Sequence, residues 1–465
     1  SGPALVSFPQ FVEYALGGDL ARCEEIDGVI PNPARVSKRG AASLPVLGQT
    51  VPAATTKSPY GKDLDIDTKI EMDYGPFLDT VTRAFPGKVK PILFFETSRG
   101  CWWGQKAHCT FCGLNGTSMA YRAMSADLAV EQFDALFKHA DAVAELHCVD
   151  NIMPREYLKD VLPRLDTPPG MEIFYEVKAD LTEEDIRTLA RARVRKIQPG
   201  IEALATSTLK LMKKGTTAHG NVRFLMHCAL HGVEPMWNLL VGFPGEEEEV
   251  FRKYVADIPK LVHLPPPSGV FPVRFDRYSP YFVRAEEYGL QLQPLEFYEL
   301  VYPFPAESIA RMAYFFADEN LFADYAMAVG TWITKMRQGV QAWRGRWSGG
   351  GEPPVLRFDS TDPTVVIDTR TGELVRHEIG EVGRAVLGCM SRPRTLAEVT
   401  RLLADFDHDV EAAVGDATAR GLIFEEKGRL GSLVLPSAAE GRDGETACAV
   451  ESTRFAPERS LAGVI

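Results

Sequence analysis

From Lys90 onward the chain alternates short apolar runs with amphipathic stretches, and this alternation restricts the fold more than any other feature. Residues 91–96, 144–149, 172–177, 195–199, 234–241 and 270–278 read as strands, because each run is short, apolar and flanked by turn residues. Residues 125–139, 183–192, 205–213 and 247–262 carry helical spacing. Ser125 and Thr182 read as helix N-caps, each followed by acidic residues in the first turn. Six strands alternating with helices predict an α/β fold with a parallel sheet and crossover helices, open or curled into an incomplete barrel. In such folds ligands bind at the carboxyl ends of the strands.

The first of these strands runs straight into a loop bearing Cys101, Cys109 and Cys112. Three thiolates from one loop can hold a 4Fe-4S cluster through three of its irons. Such clusters normally take four cysteines, and no fourth lies nearby, so one iron is left open for a substrate or cofactor. Other readings stand beside this one. A zinc knuckle would need a fourth ligand, and His108 is the candidate, although its adjacency to Cys109 hinders both side chains from facing one ion. A disulfide would leave one thiol over, in a chain with no secretory signal. Cysteines packed as small hydrophobes are the plainest reading, for which a polar, Gly-rich loop is a poor place. Cys23, Cys148, Cys228, Cys389 and Cys448 are scattered without a spacing pattern, which suits a reducing cytosol and a cytoplasmic location.

The 465 residues are enough for about three domains. A net charge of -12 argues against a nucleic-acid-binding surface. No apolar run approaches the ~20 residues of a membrane helix, so neither nucleic acid nor membrane is expected as a partner. Residues 8–20 carry a short amphipathic helix pattern, followed by Gly-, Pro- and Ala-rich linker sequence at residues 30–33 and 43–56. After the glycine run at residues 349–351 a third segment reads as a strand at 364–368 and helices at 381–389, 396–406 and 410–420. Two short strands at 422–425 and 432–435 flank a turn at Gly428. Helices followed by a small hairpin describe a winged-helix-like α+β module. The polar tail after Ser437 is expected to be disordered.

The cysteine loop and the six strand–helix units together resemble the radical S-adenosylmethionine superfamily. The usual loop of that family has three residues between its first two cysteines, and here there are seven. The flanking runs Arg99-Gly100-Cys101-Trp102-Trp103-Gly104 and Cys109-Thr110-Phe111-Cys112-Gly113-Leu114-Asn115-Gly116 resemble one branch, the enzymes of ribosomal peptide (RiPP) maturation often fused to a cobalamin-binding domain. Further matches are Val149-Asp150-Asn151-Ile152-Met153, Tyr175-Glu176-Val177-Lys178-Ala179, Gln198-Pro199-Gly200-Ile201-Glu202 and the run from Trp237 and Asn238 to Glu246. The likeness covers residues 90–320 well and the C-terminal module loosely.

The resemblance implies a partial (β/α)6 barrel over residues 86–320. It makes residues 1–85 the end of a cobalamin-binding, Rossmann-like domain with its linker, whose corrin-binding body is expected upstream of Ser1. Residues 321–440 would be the winged-helix-like domain and 441–465 a tail. Cys101, Cys109 and Cys112 would bind the cluster, and its open iron the amino and carboxylate groups of S-adenosylmethionine. Phe111 is expected near the adenine, Asp150 and Asn151 near the methionine amine. Glu176, Lys178 and Glu202 are expected at ribose or carboxylate, with Asn238, Gly242 and Pro244 completing the cofactor site. Gly242 to Gly245 would let backbone approach the adenine, since glycine has no Cβ. An ion pair for Glu176–Lys178 and an ordinary turn for Gly242–Gly245 are the plainer readings. Trp102 and Trp103 would cover the cluster or stack on substrate. Arg274, Asp276, Arg277, Tyr278 and Tyr281 would contact substrate or cap the barrel.

The function implied is cobalamin-dependent C-methylation of an unactivated carbon of an amino acid or peptide in natural-product biosynthesis, with an electron donor such as flavodoxin or ferredoxin. An offshoot of the branch methylates tryptophan at C2 with a carboxylate expected on the open iron; Glu145 and Asp150 are the candidates here. A cobalamin-independent peptide epimerase or crosslinking enzyme is the alternative. A DNA-binding iron–sulfur sensor is disfavoured by the acidic chain and the acidic Glu425-Glu426 turn. The C-terminal module would then recognise a peptide leader or pack on the barrel.

Overall fold

In the computed structural model residues 4–29, 61–114, 116, 119–348, 350–404 and 409–437 are described. The linker expected at 30–33 and 43–56, Asn115, the tail after Ser437 and Cys448 lie outside these residues. The chain divides into two compact units, residues 1–73 and 74–465. In the first, the N-terminal amphipathic pattern forms the helix Ala4–Leu16, followed by a short turn of helix at Leu20–Cys23. Cys23 and Ile26 are buried there.

The second unit contains the strands β1 (Ile92–Phe95), β2 (Ser98–Arg99), β3 (Arg122–Ala123), β4 (Glu145–Cys148), β5 (Glu172–Val177), β6 (Val194–Pro199), β7 (Glu234–Pro235), β8 (Leu239–Val241) and β9 (Val270–Pro272). Strands β1, β4, β5, β6 and β7 form a five-stranded sheet in that order, every pair parallel. Strands β8 and β9 form a second parallel pair. The run expected as one strand at 234–241 is thus split in two, and the break falls at residues 236–238, where Trp237 is buried and sends its indole N–H to Pro265 O at 3.1 Å. The run at 270–278 also breaks, into β9 and β10 (Phe275–Asp276). Strand β10 joins β11 (Leu292–Pro294) and β12 (Phe315–Asp318) in a small antiparallel sheet not foreseen from sequence.

The parallel sheet owes its layering to period-two burial. Leu93 and Phe95, Leu146 and Cys148, Ile173, Tyr175 and Val177 are buried on one face. Phe95 meets Phe133 of the helix Ala126–Phe137 at 5.1 Å between ring centroids. The helix Glu183–Arg191 starts from a reciprocal capping box between Thr182 and Asp185, whereas Ser125 takes the N-cap position without a side-chain cap bond. The opposite face carries Phe94, His147, Phe174 and Lys196 in one hydrogen-bonded row. The longest described helices that escaped sequence reading are Ala218–His231 and the 25-residue Asp324–Ser348, whose polar and apolar residues lack a clean stripe. No described helix is long and apolar enough to cross a membrane.

The C-terminal segment contains the antiparallel sheet β13 (Leu356–Phe358), β14 (Val365–Asp368) and β15 (Val375–Glu378), then helices Gly380–Cys389, Leu396–Leu402 and Val410–Ala419. A hairpin of β16 (Ile423–Glu426) and β17 (Arg429–Ser432) follows. The second hairpin strand lies three residues earlier than expected. Lys427 and Gly428 both adopt positive φ, which makes a two-residue turn and starts β17 at once.

This segment is fastened to the helices beside the parallel sheet through buried polar contacts. Arg370 donates to the carbonyls of Lys260 and Gly421, both at 2.8 Å, while Asp368 holds its guanidinium at 2.7 Å. Glu426 is not a solvated turn residue: it is 8% exposed and accepts hydrogen bonds from the N–H and hydroxyl of Thr206. Removing one partner of a buried bond costs about 1–3 kcal/mol per orphaned group. Glu426→Ala is therefore expected to destabilise the protein by roughly 2–4 kcal/mol in urea denaturation, and Glu426→Gln, which keeps one acceptor, by less.

Candidate active site

The cysteine loop is built on a clamp at the end of β1. Asp150, two residues past the end of β4, is 1% exposed and accepts from Thr97 N at 2.7 Å, Thr97 Oγ1 at 2.6 Å and Ser98 Oγ at 2.8 Å. Residues 100–121 then leave and return through the antiparallel pair β2–β3. Gly100 adopts φ +80°, and a Cβ there would lie 2.4 Å from Ala120 O, so the neck of the loop requires glycine.

Within the loop, Cys101 starts the helix Trp102–Ala107 and its sulfur accepts from Gly104 N at 3.2 Å. Thr110 is buried and makes three contacts: its N–H to Met212 O (3.1 Å), its hydroxyl to Leu211 O (2.9 Å), and its carbonyl from Tyr281 N–H (3.0 Å). The two indoles pin the other side, Trp102 to Met153 O and Trp103 to Lys213 O, both at 3.2 Å. Gly113 and Gly116 press the loop against β10 and the residues after it. A Cβ on Gly113 would fall 2.2 Å from Arg277 O and 2.8 Å from Tyr314 Oη, and one on Gly116 2.3 Å from the Tyr278 side chain.

The three cysteines are half-buried free thiols, close enough to influence one another's ionisation. Burial pushes the Cys112 thiol up to about 12 and raises Cys109, whose shift is opposed by the Lys214 cation. Thiols held neutral in this way become thiolate ligands when a metal centre supplies positive charge. His108 turns its Nε2 to Cys112 O at 2.8 Å, into the loop's own backbone. Among the described residues no three His, Cys, Asp or Glu side chains surround a single metal ion, so the zinc-knuckle geometry is not formed. A 4Fe-4S cluster asks for something different, one thiolate on each of three separate irons, and three free thiols on one clamped loop fit that demand.

Carboxylates and lysines gather beside the loop. Glu176, at the carboxyl end of β5, has its pKa raised to about 7, first by burial and then by Glu202 and Asp150. Glu202 sits at φ +56°, unusual for a side chain of its size, and pairs with Lys214 Nζ at 3.4 Å. Lys214 lies close to Cys109 and Cys112, and the Glu202 carboxylate, with those sulfurs when they ionise as ligands, supports its charge against burial. Its ammonium also lies 5.8 Å from the Phe111 ring centroid. Gly200 makes the space for it, since a Cβ there would lie 2.4 Å from Lys214 Nζ. Lys178, 6% exposed, places Nζ 4.3 Å from the Trp103 ring centroid and 3.3 Å from Asp180 Oδ2.

Several expected site residues take other places. Glu145 opens β4 opposite Ile92, at the amino end of the sheet and away from the cysteine loop. It is bound by His147 and by Lys196 at 2.7 Å, which hold its pKa down to about 2. Asp150 spends both oxygens on Thr97 and Ser98. Neither carboxylate is therefore available to an iron. The glycine at 242 makes no room for an adenine: its missing Cβ would fall 2.7 Å from Val329 Cγ2, and the turn is locked by Glu246, which accepts from Gly242 N (2.6 Å) and Phe243 N (3.2 Å). Pro244 is buried and Asn238 exposed. Arg277 is committed to the carbonyls of Ala313 and Ala310, and Tyr281 is 1% exposed in the core with Phe243 and Phe275.

Arg274 pairs with Asp276 at 2.8 Å, and with Tyr278 this group does border the cysteine loop. Asn151 is half-buried beside Asp150. Lys214 and Tyr314 were missed from sequence. The pair Lys213-Lys214 before Gly215 was the available signal for the first. For Tyr314, whose pKa burial raises to about 12, no local signal exists.

Two outcomes are expected. Gly113→Ala should cost about 1–3 kcal/mol in chemical denaturation, because its contact is with rigid backbone, and should lower iron retained after reconstitution. Glu176 binds its proton more tightly in the folded chain than the ordinary ~4.3 of an unfolded glutamate. Its contribution to stability thus declines as pH rises from about 4 to 7 and is level above that. Glu176→Gln should match the parent near pH 4 and exceed it by roughly 1–3 kcal/mol at pH 8, read from denaturation midpoints across pH.

Residues 95–258 match the family model described as the radical SAM superfamily. No curated protein matches the chain. Among solved structures, the radical S-adenosylmethionine methyltransferase TsrM from Kitasatospora setae, with tryptophan and aza-SAM bound, is 17% identical over 54% of this chain and 52% of its own, with a TM-score of 0.41. The cobalamin-dependent radical enzyme OxsB with aqua-cobalamin is 18% identical over 42% of this chain and 30% of its own, TM-score 0.31. Coproporphyrinogen III oxidase (HemN) from Escherichia coli is 13% identical over 78% of this chain and 90% of its own, TM-score 0.34. The chain spans about a third of the OxsB chain and half of the TsrM chain.

Proposed function

We propose, from the radical SAM domain at residues 95–258, that this protein is a C-methyltransferase acting on an unactivated carbon of an amino acid or peptide. The acceptor is a free amino acid, such as tryptophan at C2, or a peptide of a biosynthetic pathway. The domain itself implies a 4Fe-4S cluster and S-adenosylmethionine, with Cys101, Cys109 and Cys112 as cluster ligands. The single observation carrying the reading is the three-thiol loop at the carboxyl end of the parallel sheet, flanked by Glu176, Glu202, Lys178 and Lys214. The methyl-transfer step rests on the motif resemblance around those cysteines and at Gln198–Glu202. Cobalamin would be held mainly by a domain outside this sequence, with residues 1–85 as its end and linker.

When bound, the cofactors supply the electron and the methyl group; the protein positions and shields them. Lys178 and Lys214 are the cations available to a carboxylate, and Glu202 and Glu176 the acceptors available to an amine or ribose hydroxyl. Phe111 offers an apolar surface beside Lys214. Trp102 and Trp103, each fixed by its N–H to a main-chain carbonyl, exclude water from the loop. Arg274, Asp276 and Tyr278 border the substrate side. With Glu145 and Asp150 both engaged elsewhere, a carboxylate blocking the open iron finds no donor in either. We further propose a partial (β/α)6 barrel at 86–320, a winged-helix-like domain at 321–440, and flavodoxin or ferredoxin as reductant.

The test is mass spectrometry of reconstituted full-length protein with S-adenosylmethionine carrying an isotopic methyl label. A labelled acceptor is expected, lost in each Cys→Ala variant of the three. Formation of 5′-deoxyadenosine with no labelled product would overturn methyl transfer and favour the epimerase or crosslinking alternative.

A further inference from the structure

The face of the parallel sheet that turns away from its packed helices carries an aromatic row the cofactor site does not use. Phe94 of β1, His147 of β4 and Phe174 of β5 stand abreast there as direct register partners. The His147 ring stacks on Phe174 at 4.8 Å between centroids and meets Phe94 edge-on at 5.7 Å. Parallel sheets usually have both faces covered. Here Phe94 is 59% exposed, and Val149, two residues past His147, is exposed as well. Phe174 lies two residues before Glu176 on the same alternating face of β5. The row therefore sits one pleat below the Glu176 carboxylate, about 7 Å along the strand.

One member of the row is more than an apolar surface. Glu145 accepts from His147 Nε2 and from Lys196 Nζ at 2.7 Å, and these bonds hold its pKa down to about 2. An ionised carboxylate only accepts, so Nε2 carries the proton of the neutral ring and Nδ1 is left as an acceptor. Among the described residues Nδ1 takes no hydrogen bond, and the side chain is 25% exposed. Glu145 grips the ring from the amino end of the strand. The side toward the cysteine loop stays free.

We infer that Phe94, His147 and Phe174 form the subsite for the acceptor's reacting group, and that this group is a planar aromatic ring carrying an N–H. The ring packs on Phe94 and donates its N–H to His147 Nδ1. Its role as acceptor rests on the methyl-transfer reading; its chemistry rests on this row. The aromatic side chains supply apolar contact. The nitrogen supplies selection, because a ring of the same shape without the N–H leaves Nδ1 dry and unpaired. A branched aliphatic group finds neither a flat partner nor a use for that nitrogen. Glu145 is then a positioning residue that acts through His147.

The probes are indole and benzothiophene, which match in shape and differ in the N–H. Each is titrated by ligand-observed NMR into reconstituted full-length protein with S-adenosylmethionine and no reductant, so binding is read without turnover. Saturable indole binding is expected, with benzothiophene at least about fivefold weaker. His147→Phe keeps a ring but no acceptor, and should bring the two probes within about twofold of each other. Glu145→Gln, which loosens the tautomer, should narrow the gap in the same direction. Phe94→Ala removes an exposed side chain and should weaken both probes alike, which keeps the test alive if His147→Phe fails to fold. A purely structural His147 would lower both affinities without changing their ratio. No saturation by indole, equal affinity for the two probes, an unchanged ratio in His147→Phe, or unchanged binding in Phe94→Ala would each overturn the subsite. Methyl label found on an aliphatic carbon would overturn it too. Absence of any labelled product with the fivefold preference intact would strike the methyl-transfer reading alone.

Discussion

The candidate site depends on one buried carboxylate. Asp150 joins the end of β4 to the turn after β1 through three hydrogen bonds, and everything that presents the cysteines starts from that turn. Burial raises the pKa of Asp150, while the bonds from Thr97 and Ser98 hold it down. A buried carboxylate is tolerated when its lone pairs are filled in this way. The cost of burying it is repaid in position, since the 22 residues between the two arms of the neck gain a fixed base.

From that base the loop is tied to several other elements in turn. Thr110 reaches the end of the helix Thr206–Leu211 and the segment before Tyr281, and the two tryptophans reach Met153 and Lys213. The consequence is electrostatic. The loop sits where Lys214, Glu202 and Glu176 come together, with the Glu202 carboxylate supporting the charge of Lys214 and raising the pKa of Glu176. Opposite charges beside half-buried thiols make the loop a place where an anionic centre and a zwitterionic ligand can both find partners.

Much of the fold was legible in the sequence. The six apolar runs, the N-cap at Thr182 and the helices of the C-terminal module lie within a few residues of their expected places, because burial on one or both faces writes a period into the chain. The breaks at residues 236–238 and after Pro272 were not legible, since nothing in a continuous apolar run marks where it changes partner. Glu145 and Asp150 were the candidates for the open iron on the resemblance to the tryptophan-methylating offshoot and their place on the second predicted strand. The register places Glu145 at the opposite end and the neighbouring hydroxyls engage Asp150, facts that depend on strands 50 residues away. The glycines misled in a similar way: Gly242 makes room for Val329 of a helix that the sequence did not announce, whereas Gly200 makes room for Lys214.

The sequence by itself determined the alternation of strand and helix, the three cysteines on one loop, and the chemistry those thiols can support. Spacing and residue type carry such information locally. Tertiary structure alone decided which charges meet the thiols and which carboxylates are already spent. Those are pairings between residues far apart in the chain, and they exist only once β1 to β7 are in register and the C-terminal module is fastened through Glu426 and Arg370.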